Sequence, residues 1–367
     1  MNRRDVLKGG LAISLPFSTS AAFSATATPI IGLSLPKSGV QAAVGAELEA
    51  GYQLAIKASG TNMRLLVLDD GGVVDRTVQN VQQLSRNVDV VTLSGIVGTP
   101  HAQAALPVAK AAGLPVVGIR SGSNTLRSGS ANVVHLRSSY DEELDSLAKM
   151  CAGFGLSHIS IIYSNDSFGE ETKAYISKEL EKRNVKLNVA IPVARDGKDI
   201  AQAAEKCATQ IKSETHNTGV ILLMIAKPMI ETALELRTKH SIVSPLFAMS
   251  FTMTKTVASE VVPSLSGLGI ASAFPLPRTS STGVSQLFRR ECLAHEVPEL
   301  ISSPTAYEGW FYAKAIIATG AQTRAQVIQN ISTGITVADT KIKPDSNMVA
   351  YKFTQVVYKS ADGRLKA

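Results

Sequence analysis

Long apolar runs are absent from most of this 367-residue sequence. After the first 27 residues, no segment reaches the roughly 18 consecutive apolar residues that a membrane-spanning helix requires. The composition, with 45% hydrophobic and 18% charged residues, also lacks the polar bias of a disordered chain. Because the length exceeds that of one average domain, the sequence predicts a folded protein of two lobes with a large core.

Cysteine is scarce, and three residues allow at most one disulfide, whose pairing the sequence does not determine. Cys151, Cys207 and Cys292 all lie in helical patterns, where a buried free thiol is the commoner outcome. The histidines show no metal-ligand spacing among themselves or with the cysteines, so we predict no metal site. They are His101, His135, His158, His216, His240 and His295.

Motifs for nucleic-acid binding are also missing, since the sequence has no zinc-finger, basic-zipper or RNA-binding pattern. The net charge of +7 is spread along the chain rather than gathered in a stripe. It therefore indicates solvated surface charge with some bias toward anionic solutes, and we predict no nucleic-acid partner.

Catalytic signatures are missing as well: there is no G-x-S-x-G elbow, P-loop or G-x-G-x-x-G fingerprint. Asp69 and Asp70 are adjacent, so on a strand their carboxylates diverge. They fit a turn better than acid–base catalysis. The sequence predicts a protein that is not an enzyme and holds no cofactor.

The first 27 residues are typical of an export signal. They contain "NRRDVLK", with Arg3, Arg4 and Lys8, then a short apolar run broken by Pro16 and a stretch of small residues. Paired arginines followed by a hydrophobic pair and a lysine resemble the twin-arginine pattern. We exclude residues 1–27 from the fold and predict a periplasmic protein whose signal is cleaved.

From residue 29 onward, short apolar strands alternate with amphipathic helices. The strands "PIIGLSL" and "VDVVTLSG" are continuous apolar runs, typical of a parallel sheet covered by helices on both faces. This pattern predicts a doubly wound lobe over residues 29–137. The rhythm restarts with a helix over 140–154 and the strand "HISIIYS" over 158–164, which predicts a second lobe of the same kind over 138–272.

The remaining segments are too few for a third domain. We expect residues from about 273 to 343 to complete the first lobe and residues from about 344 to 367, with a strand over 347–359, to complete the second. The chain would then cross between lobes more than once, which makes a hinge. The predicted fold class is α/β, with two doubly wound parallel-sheet lobes joined by a multi-crossing hinge.

Several stretches, taken together, resemble the type I solute-binding proteins, in the branched-chain amino-acid receptor branch typified by the leucine/isoleucine/valine-binding protein. They are, in chain order, "IIGLSLPKSGVQAAVGAELEAGYQLAI", "LDDGG", "ALPVAKAAGLPVVG", "SIIYSNDSFGEETKAYISKEL", "SPTAYEGWFYAKAI" and "NMVAYKFTQVV". Their order and spacing extend the resemblance over nearly the whole chain after the export signal.

The resemblance implies the periplasmic binding protein-like I fold and the role of substrate-binding subunit of an ABC-type importer. It also implies an inner-membrane permease as partner and a monomeric state. A periplasmic sensor that presents its bound form to a membrane receptor fits the same resemblance, and the sequence does not separate these two uses.

One turn after a predicted strand matches the family turn that holds the solute's carboxylate. It consists of Gly98, Thr99, Pro100 and His101. Thr99 and Pro100 make a good helix cap and first-turn pair, and helix N-termini offer free N–H groups to anions. By resemblance, these four residues line the carboxylate end of the solute.

A second turn, Arg120-Ser121-Gly122-Ser123, matches the family turn that supplies main-chain and hydroxyl contacts, so Ser121 and Ser123 are predicted ligands of the solute. The family more often has a small residue where Arg120 stands. Its guanidinium either grips a carboxylate or points into water, and the sequence favours neither.

Four more predicted site residues depart from the family. Phe168 stands where the family has a tyrosine beside the ligand, and Ile225 lies near another such tyrosine. Val44 replaces a bulky aromatic of some relatives, and Ser250 stands where amino-acid receptors place an acid for the ammonium group. A buried ammonium without a charged partner is costly. We therefore expect the lobes to close on a carboxylate solute with a sizeable apolar or aromatic body: an amino acid-like molecule, keto acid or aromatic acid, rather than leucine.

Overall fold

The computed structural model describes residues 28–127, 131–258, 265–362 and 364–366. Its helices are α1 (Ala42–Ser59), α2 (Val74–Arg86), α3 (Thr99–Ala111), α4 (Tyr140–Gly153), α5 (Ser167–Glu181), α6 (Ile200–Lys212), α7 (Ala226–Leu234), α8 (Lys255–Ala258), α9 (Gly283–Ala294), α10 (Pro304–Ala318) and α11 (Arg324–Thr333). Its strands are β1 (Ile30–Leu35), β2 (Arg64–Asp69), β3 (Val90–Ser94), β4 (Val116–Val117), β5 (Val133–Val134), β6 (His158–Ser164), β7 (Lys186–Val193), β8 (Thr218–Leu223), β9 (Leu246–Met249), β10 (Leu268–Ser272), β11 (Ile335–Val337), β12 (Thr340–Ile342), β13 (Gln355–Lys359) and β14 (Leu365–Lys366).

Two separate sheets confirm the predicted fold class. The first has the order β2-β1-β3-β4-β5 and is parallel throughout. The second has the order β14-β13-β10-β9-β8-β6-β7, and its strands from β10 to β7 repeat the arrangement of the first sheet. We call each sheet with its packed helices the first and second lobe. In sheets of this order, ligands bind beyond the carboxyl ends of the strands, where the strand order reverses.

The apolar character of the strands explains why both sheets are interior. Strands β1, β3 and β8 are buried along their whole length. Apolar clusters pack on both faces of the first sheet and on both faces of the second. Burial on two sides leaves no polar face, so alternating sequence patterns are absent from these strands.

Helices α1 and α10 pack against each other in the first lobe through two glycines. A Cβ atom on Gly51 would lie 2.0 Å from the carbonyl oxygen of Ala306, and one on Gly309 would lie 2.5 Å from that of Leu48. No side chain fits at either position, so the glycines permit this close backbone approach. The contact brings α10, which follows the second lobe's strand β10, back onto the first lobe.

The chain passes between the lobes three times: from β5 to α4, from β10 to α9, and from the β11–β12 hairpin to β13. The strand predicted over 347–359 is wrong in its first half, because only Gln355–Lys359 forms a strand. The carboxylate of Asp345 accepts hydrogen bonds from the amides of Asn347 and Val349, and Met348 has a φ of 58°. The chain therefore turns here. The exact limits of the two lobes remain a prediction.

All three cysteines are buried with free thiols. Burial raises the pKa of each thiol to about 12, so the thiolate is disfavoured and the side chains pack as small apolar groups. Among the described residues, none of the helices has the length and apolar character needed to span a bilayer.

His135 lies buried at a crossing between the lobes. Its backbone pairs with Val349 and its Nε2 lies 3.2 Å from the carbonyl oxygen of Leu126. Burial, and then the nearby charge of Arg127, lower its pKa to about 3. The folded protein therefore holds this imidazole neutral, whereas the unfolded chain takes up a proton below its ordinary pKa of 6.5.

We predict that the neutral His135 does not reduce the free energy of unfolding above pH 6.5. Below that value the free energy of unfolding falls as the pH drops, because only the unfolded chain binds a proton at this residue. The loss at pH 5 is about 2 kcal/mol, since each pKa unit corresponds to about 1.4 kcal/mol. Urea unfolding of the wild type and of His135→Gln at pH 7 and pH 5 measures it. The variant should lose most of this slope, with a remainder from His101, whose pKa burial also lowers. An unchanged slope in the variant would refute the assignment.

Candidate functional site

The two predicted turns lie side by side at the carboxyl edge of the first sheet. The amide of Gly98 donates to the carbonyl oxygen of Arg120 over 3.1 Å, and the amide of Arg120 donates to that of Ile96 over 2.9 Å. These bonds extend the β3–β4 pairing beyond the strand ends. The turns therefore form one continuous surface at the position where the fold binds ligands.

The first turn differs in one detail from its prediction. Gly98, with a φ of 101°, is the N-cap of α3, and Thr99 is the first helical residue rather than the cap. The hydroxyl of Thr99 is instead hydrogen-bonded to that of Ser121 over 2.9 Å. Pro100 follows in the first turn of the helix and is half-buried. The paired hydroxyls and the helix N-terminus together suit an anionic group.

Tyr140, which sequence reasoning missed, completes this end of the site. It is the first residue of α4 and is buried, and burial raises the pKa of its phenol. Its hydroxyl lies beside Thr99 and Ser121 but makes no hydrogen bond within the described part of the chain. A buried hydroxyl without a partner needs an acceptor. A carboxylate at the Thr99–Ser121 pair would supply one.

Arg120 does not point into water, so that alternative is wrong. Its side chain is 1% exposed and forms an ion pair with Glu308 of α10. It also donates to the carbonyl oxygen of Phe251 over 3.2 Å and lies 5.5 Å from the centre of the Phe251 ring. A guanidinium whose charge is already paired has little left for a solute carboxylate.

The Arg120–Glu308 pair belongs to a larger buried group, which we call the four-charge network: Arg120, Arg137, Glu143 and Glu308. Arg137 lies 3.1 Å from a carboxylate oxygen of Glu308 and 3.1 Å from one of Glu143. Burial alone would lower the pKa of Arg137, but these two carboxylates raise it above its ordinary value. The network holds two positive and two negative groups, so its formal charge is zero.

Ser250 is bound into this network rather than standing alone. Its hydroxyl and its amide donate to the carboxylate of Glu143 over 2.8 and 3.0 Å, and Arg137 donates to its hydroxyl oxygen. Position 250 itself carries no acid, but α4 brings a buried carboxylate to it. Because Arg137 already pairs with that carboxylate, it offers no free charge to an ammonium group.

Aromatic rings form the apolar side of the cleft. Phe168 stacks on Phe251 with ring centres 5.4 Å apart, and Tyr140 meets Phe168 edge-on at 5.2 Å. Phe251 in turn reaches the first lobe beside Gly98. Val44 and Ile225 are buried in the same apolar cluster as Phe251. Val44 and Ile225 therefore belong to the apolar core that includes Phe251, and their contact with the solute stays a prediction.

Polar side chains also lie beside Gly98. Arg195, in the loop after β7, pairs with Asp166 and donates to the Oε1 atom of Gln41 across the cleft over 3.1 Å. Both ring nitrogens of His101 and the Nε2 atom of Gln41 are buried and make no hydrogen bond to any described residue. Burial, and then the charge of Arg195, lower the pKa of His101, so its imidazole is neutral.

Ser123 caps a turn and contacts the second lobe, and its predicted contact with the solute stays a prediction. Its hydroxyl caps a short turn at Asn124–Leu126 and donates to Glu171 of α5 in the second lobe. The amide of Asn124 donates to the same carboxylate over 3.0 Å. Like Arg195 and Gln41, this group joins the lobes across the mouth of the cleft, so in this structure the lobes are in contact.

The sequence profile described as periplasmic binding protein matches residues 29–351. The chain belongs to this family. Membership places it outside the cytoplasm, in a family of solute-binding proteins rather than enzymes, and it confirms the resemblance on which the predicted fold depended. The predicted export signal lies outside the described residues.

Many solved structures share the fold of this periplasmic binding protein, and three of them show its range. A substrate-binding periplasmic protein from Ralstonia solanacearum is 22% identical, with 92% of this chain and 99% of that one covered and a TM-score of 0.81. A solute-binding protein of an ABC transporter from R. palustris, in complex with benzoate, is 15% identical, with coverage of 92% and 94% and a TM-score of 0.80. A branched-chain amino acid transporter substrate-binding protein from Streptococcus pneumoniae, in complex with isoleucine, is 14% identical, with coverage of 93% and 98% and a TM-score of 0.79. No curated protein sequence matches the chain.

We predict that Glu308→Gln lowers the free energy of unfolding by about 3–5 kcal/mol, because it leaves two buried guanidinium groups with one carboxylate between them. Glu231→Gln is the matched control. Glu231 pairs with Lys227 at 3.8 Å on the surface, and such exposed pairs contribute about 1 kcal/mol or less. Urea unfolding of both variants at pH 7 measures the difference. Equal stability of the two variants would contradict the role given to the four-charge network.

Proposed function

We propose that this periplasmic binding protein is the substrate-binding subunit of an ABC-type importer and captures a carboxylate solute between its lobes. One of the structurally similar proteins is described as a solute-binding protein of an ABC transporter, and another as the substrate-binding protein of a branched-chain amino acid transporter. The permease partner, the cleaved export signal and the monomeric state are parts of the same proposal. The solute is held at the Thr99–Ser121 pair, and its body lies against Phe168 and Phe251.

The observation that carries the proposal is the pairing of charges around the cleft. Glu143 and Glu308 are each paired with arginine, and Asp166 is paired with Arg195. Each of these three carboxylates is therefore already paired with a cation, whereas the Thr99–Ser121 hydroxyls and the N-terminus of α3 are available to an anion. This favours keto acids and aromatic acids over the amino acids of the same shape.

The unpartnered nitrogens of His101 and Gln41 support a further property of the solute. A neutral imidazole and an amide N–H bind a hydroxyl or carbonyl oxygen well, and a buried donor without a partner costs about 1–3 kcal/mol. We infer that the solute carries an oxygen beyond its carboxylate. A 2-oxo group or a ring hydroxyl has this chemistry.

A thermal-shift screen with matched pairs tests the proposal. L-leucine is compared with 4-methyl-2-oxopentanoate, and L-phenylalanine with phenylpyruvate and 4-hydroxyphenylpyruvate, with benzoate as a simple aromatic acid. The members of a pair differ mainly in the ammonium group. We expect the acids to raise the melting temperature and the amino acids to leave it unchanged, because only a bound solute stabilises the fold. Tight binding of leucine with no response to the acids would overturn the proposal.

We predict that the double variant Thr99→Ala, Ser121→Ala binds the best acid of this screen about tenfold to a hundredfold more weakly. One of the two hydroxyls donates its proton to the other, so the double variant removes one hydrogen-bond donor to a charged group, with a contribution of roughly 1.5–3 kcal/mol. Isothermal titration calorimetry measures the change. Thr209→Ala is the control, since Thr209 is an exposed threonine on α6 that bonds its own helix. Full affinity in the double variant would exclude this pair as the carboxylate site.

A further inference from the structure

Three side chains with metal-binding atoms meet at the end of the second sheet opposite the cleft. The ligand atoms of His158, Glu214 and His216 all lie within 4.8 Å of one another. His158 is the first residue of β6, whereas Glu214 and His216 lie in the loop between α6 and β8. The prediction that histidine spacing excludes a metal site overlooked this group, because the pairing of β6 with β8 brings residues distant in sequence together.

Short distances join the three side chains. The imidazole rings of His158 and His216 have centres 4.6 Å apart, and Nδ1 of His216 lies 3.3 Å from a carboxylate oxygen of Glu214. The hydroxyl of Ser157 lies 3.1 Å from Nδ1 of His158. This contact occupies one ring nitrogen and leaves Nε2 of His158 for a ligand. Metal-bound histidines commonly have such a partner on the second nitrogen.

We propose that His158, Glu214 and His216 bind a divalent transition metal of the zinc class. Two imidazoles and one carboxylate are a donor set for zinc, whereas calcium and magnesium prefer oxygen ligands alone. Three protein ligands leave at least one position for water. Glu214 and His216 have side-chain exposures of 21% and 58%, so the metal has access from solvent.

Little movement is needed to complete the site. Donor atoms around a tetrahedral zinc lie about 3.3 Å apart, given bonds of about 2.0–2.1 Å. His158 is held in the sheet, since its amide donates to the carbonyl oxygen of Asn217 over 3.2 Å. The half-buried side chain of Glu214 and the exposed side chain of His216 therefore move to shorten the distances between the ligand atoms. A bound metal would tie the α6–β8 loop to the amino end of β6, far from the solute-binding turns.

Calorimetric titration of Zn²⁺ into the chain, freed of any histidine tag and treated with a chelator, tests the site. We expect one equivalent to bind, and His158→Ala and His216→Ala each to weaken binding by at least about tenfold. Ser157→Ala keeps all three ligands and should weaken it by about tenfold as well, since it removes the partner that orients His158. His295 is a half-buried histidine outside the group, so the variant His295→Ala should bind Zn²⁺ as the wild type does. Ca²⁺ and Mg²⁺ should not compete.

The proposal fails if Zn²⁺ shows no saturable binding, or if one equivalent binds equally well to the wild type, His158→Ala and His216→Ala. Circular dichroism of each variant checks that the fold is retained. The wild type and both histidine variants should also show the same thermal-shift response to the carboxylate solutes. That result separates the metal site from the cleft. The metal site and the proposed transport function can therefore fail independently.

Discussion

The cleft depends on a single group of buried charges: Arg120, Arg137, Glu143 and Glu308. Two of these residues follow strands of the first sheet, one lies on α4 and one on α10, so the network joins a binding turn, a crossing between lobes and a returning helix. Charges buried in this way are tolerated only when each has its partners. The network therefore fixes where the Arg120 turn lies, and it fixes the charge that the solute meets, which is zero on this side.

Polar contacts join the two lobes at three places. Arg120 donates to a carbonyl oxygen of the second lobe, Arg195 reaches Gln41, and the Ser123 turn meets Glu171. All three are polar contacts, and the ring of Phe251, which lies beside Gly98, adds an apolar contact between the lobes. In the proposed function, a solute bound in the cleft favours this arrangement of the lobes.

Much of the fold was predictable, because the buried strands are continuous apolar runs and the two turns carry Gly98, Thr99 and the serines. The network was not. Arg137 and Glu143 look like an ordinary strand end and helix face in the sequence, and their pairing with Glu308 connects residues far apart along the chain. In the sequence, Tyr140 is only the start of a predicted helix, and no pattern marks Arg195. No local pattern marks a residue whose role is set by tertiary pairing.

The neighbourhood of Ser250 shows why one sequence position is a poor guide to the solute's charge. The absence of an acid at residue 250 suggests that an ammonium group finds no partner, yet a carboxylate does lie beside the Ser250 hydroxyl, contributed by α4. That carboxylate would serve an ammonium group if it were free. Arg137 binds it at 3.1 Å and binds Glu308 with its other nitrogen at the same distance. The proposed preference for a keto acid over its amino acid therefore depends on the pairing of one arginine, and only the arrangement of the charges in space reveals it.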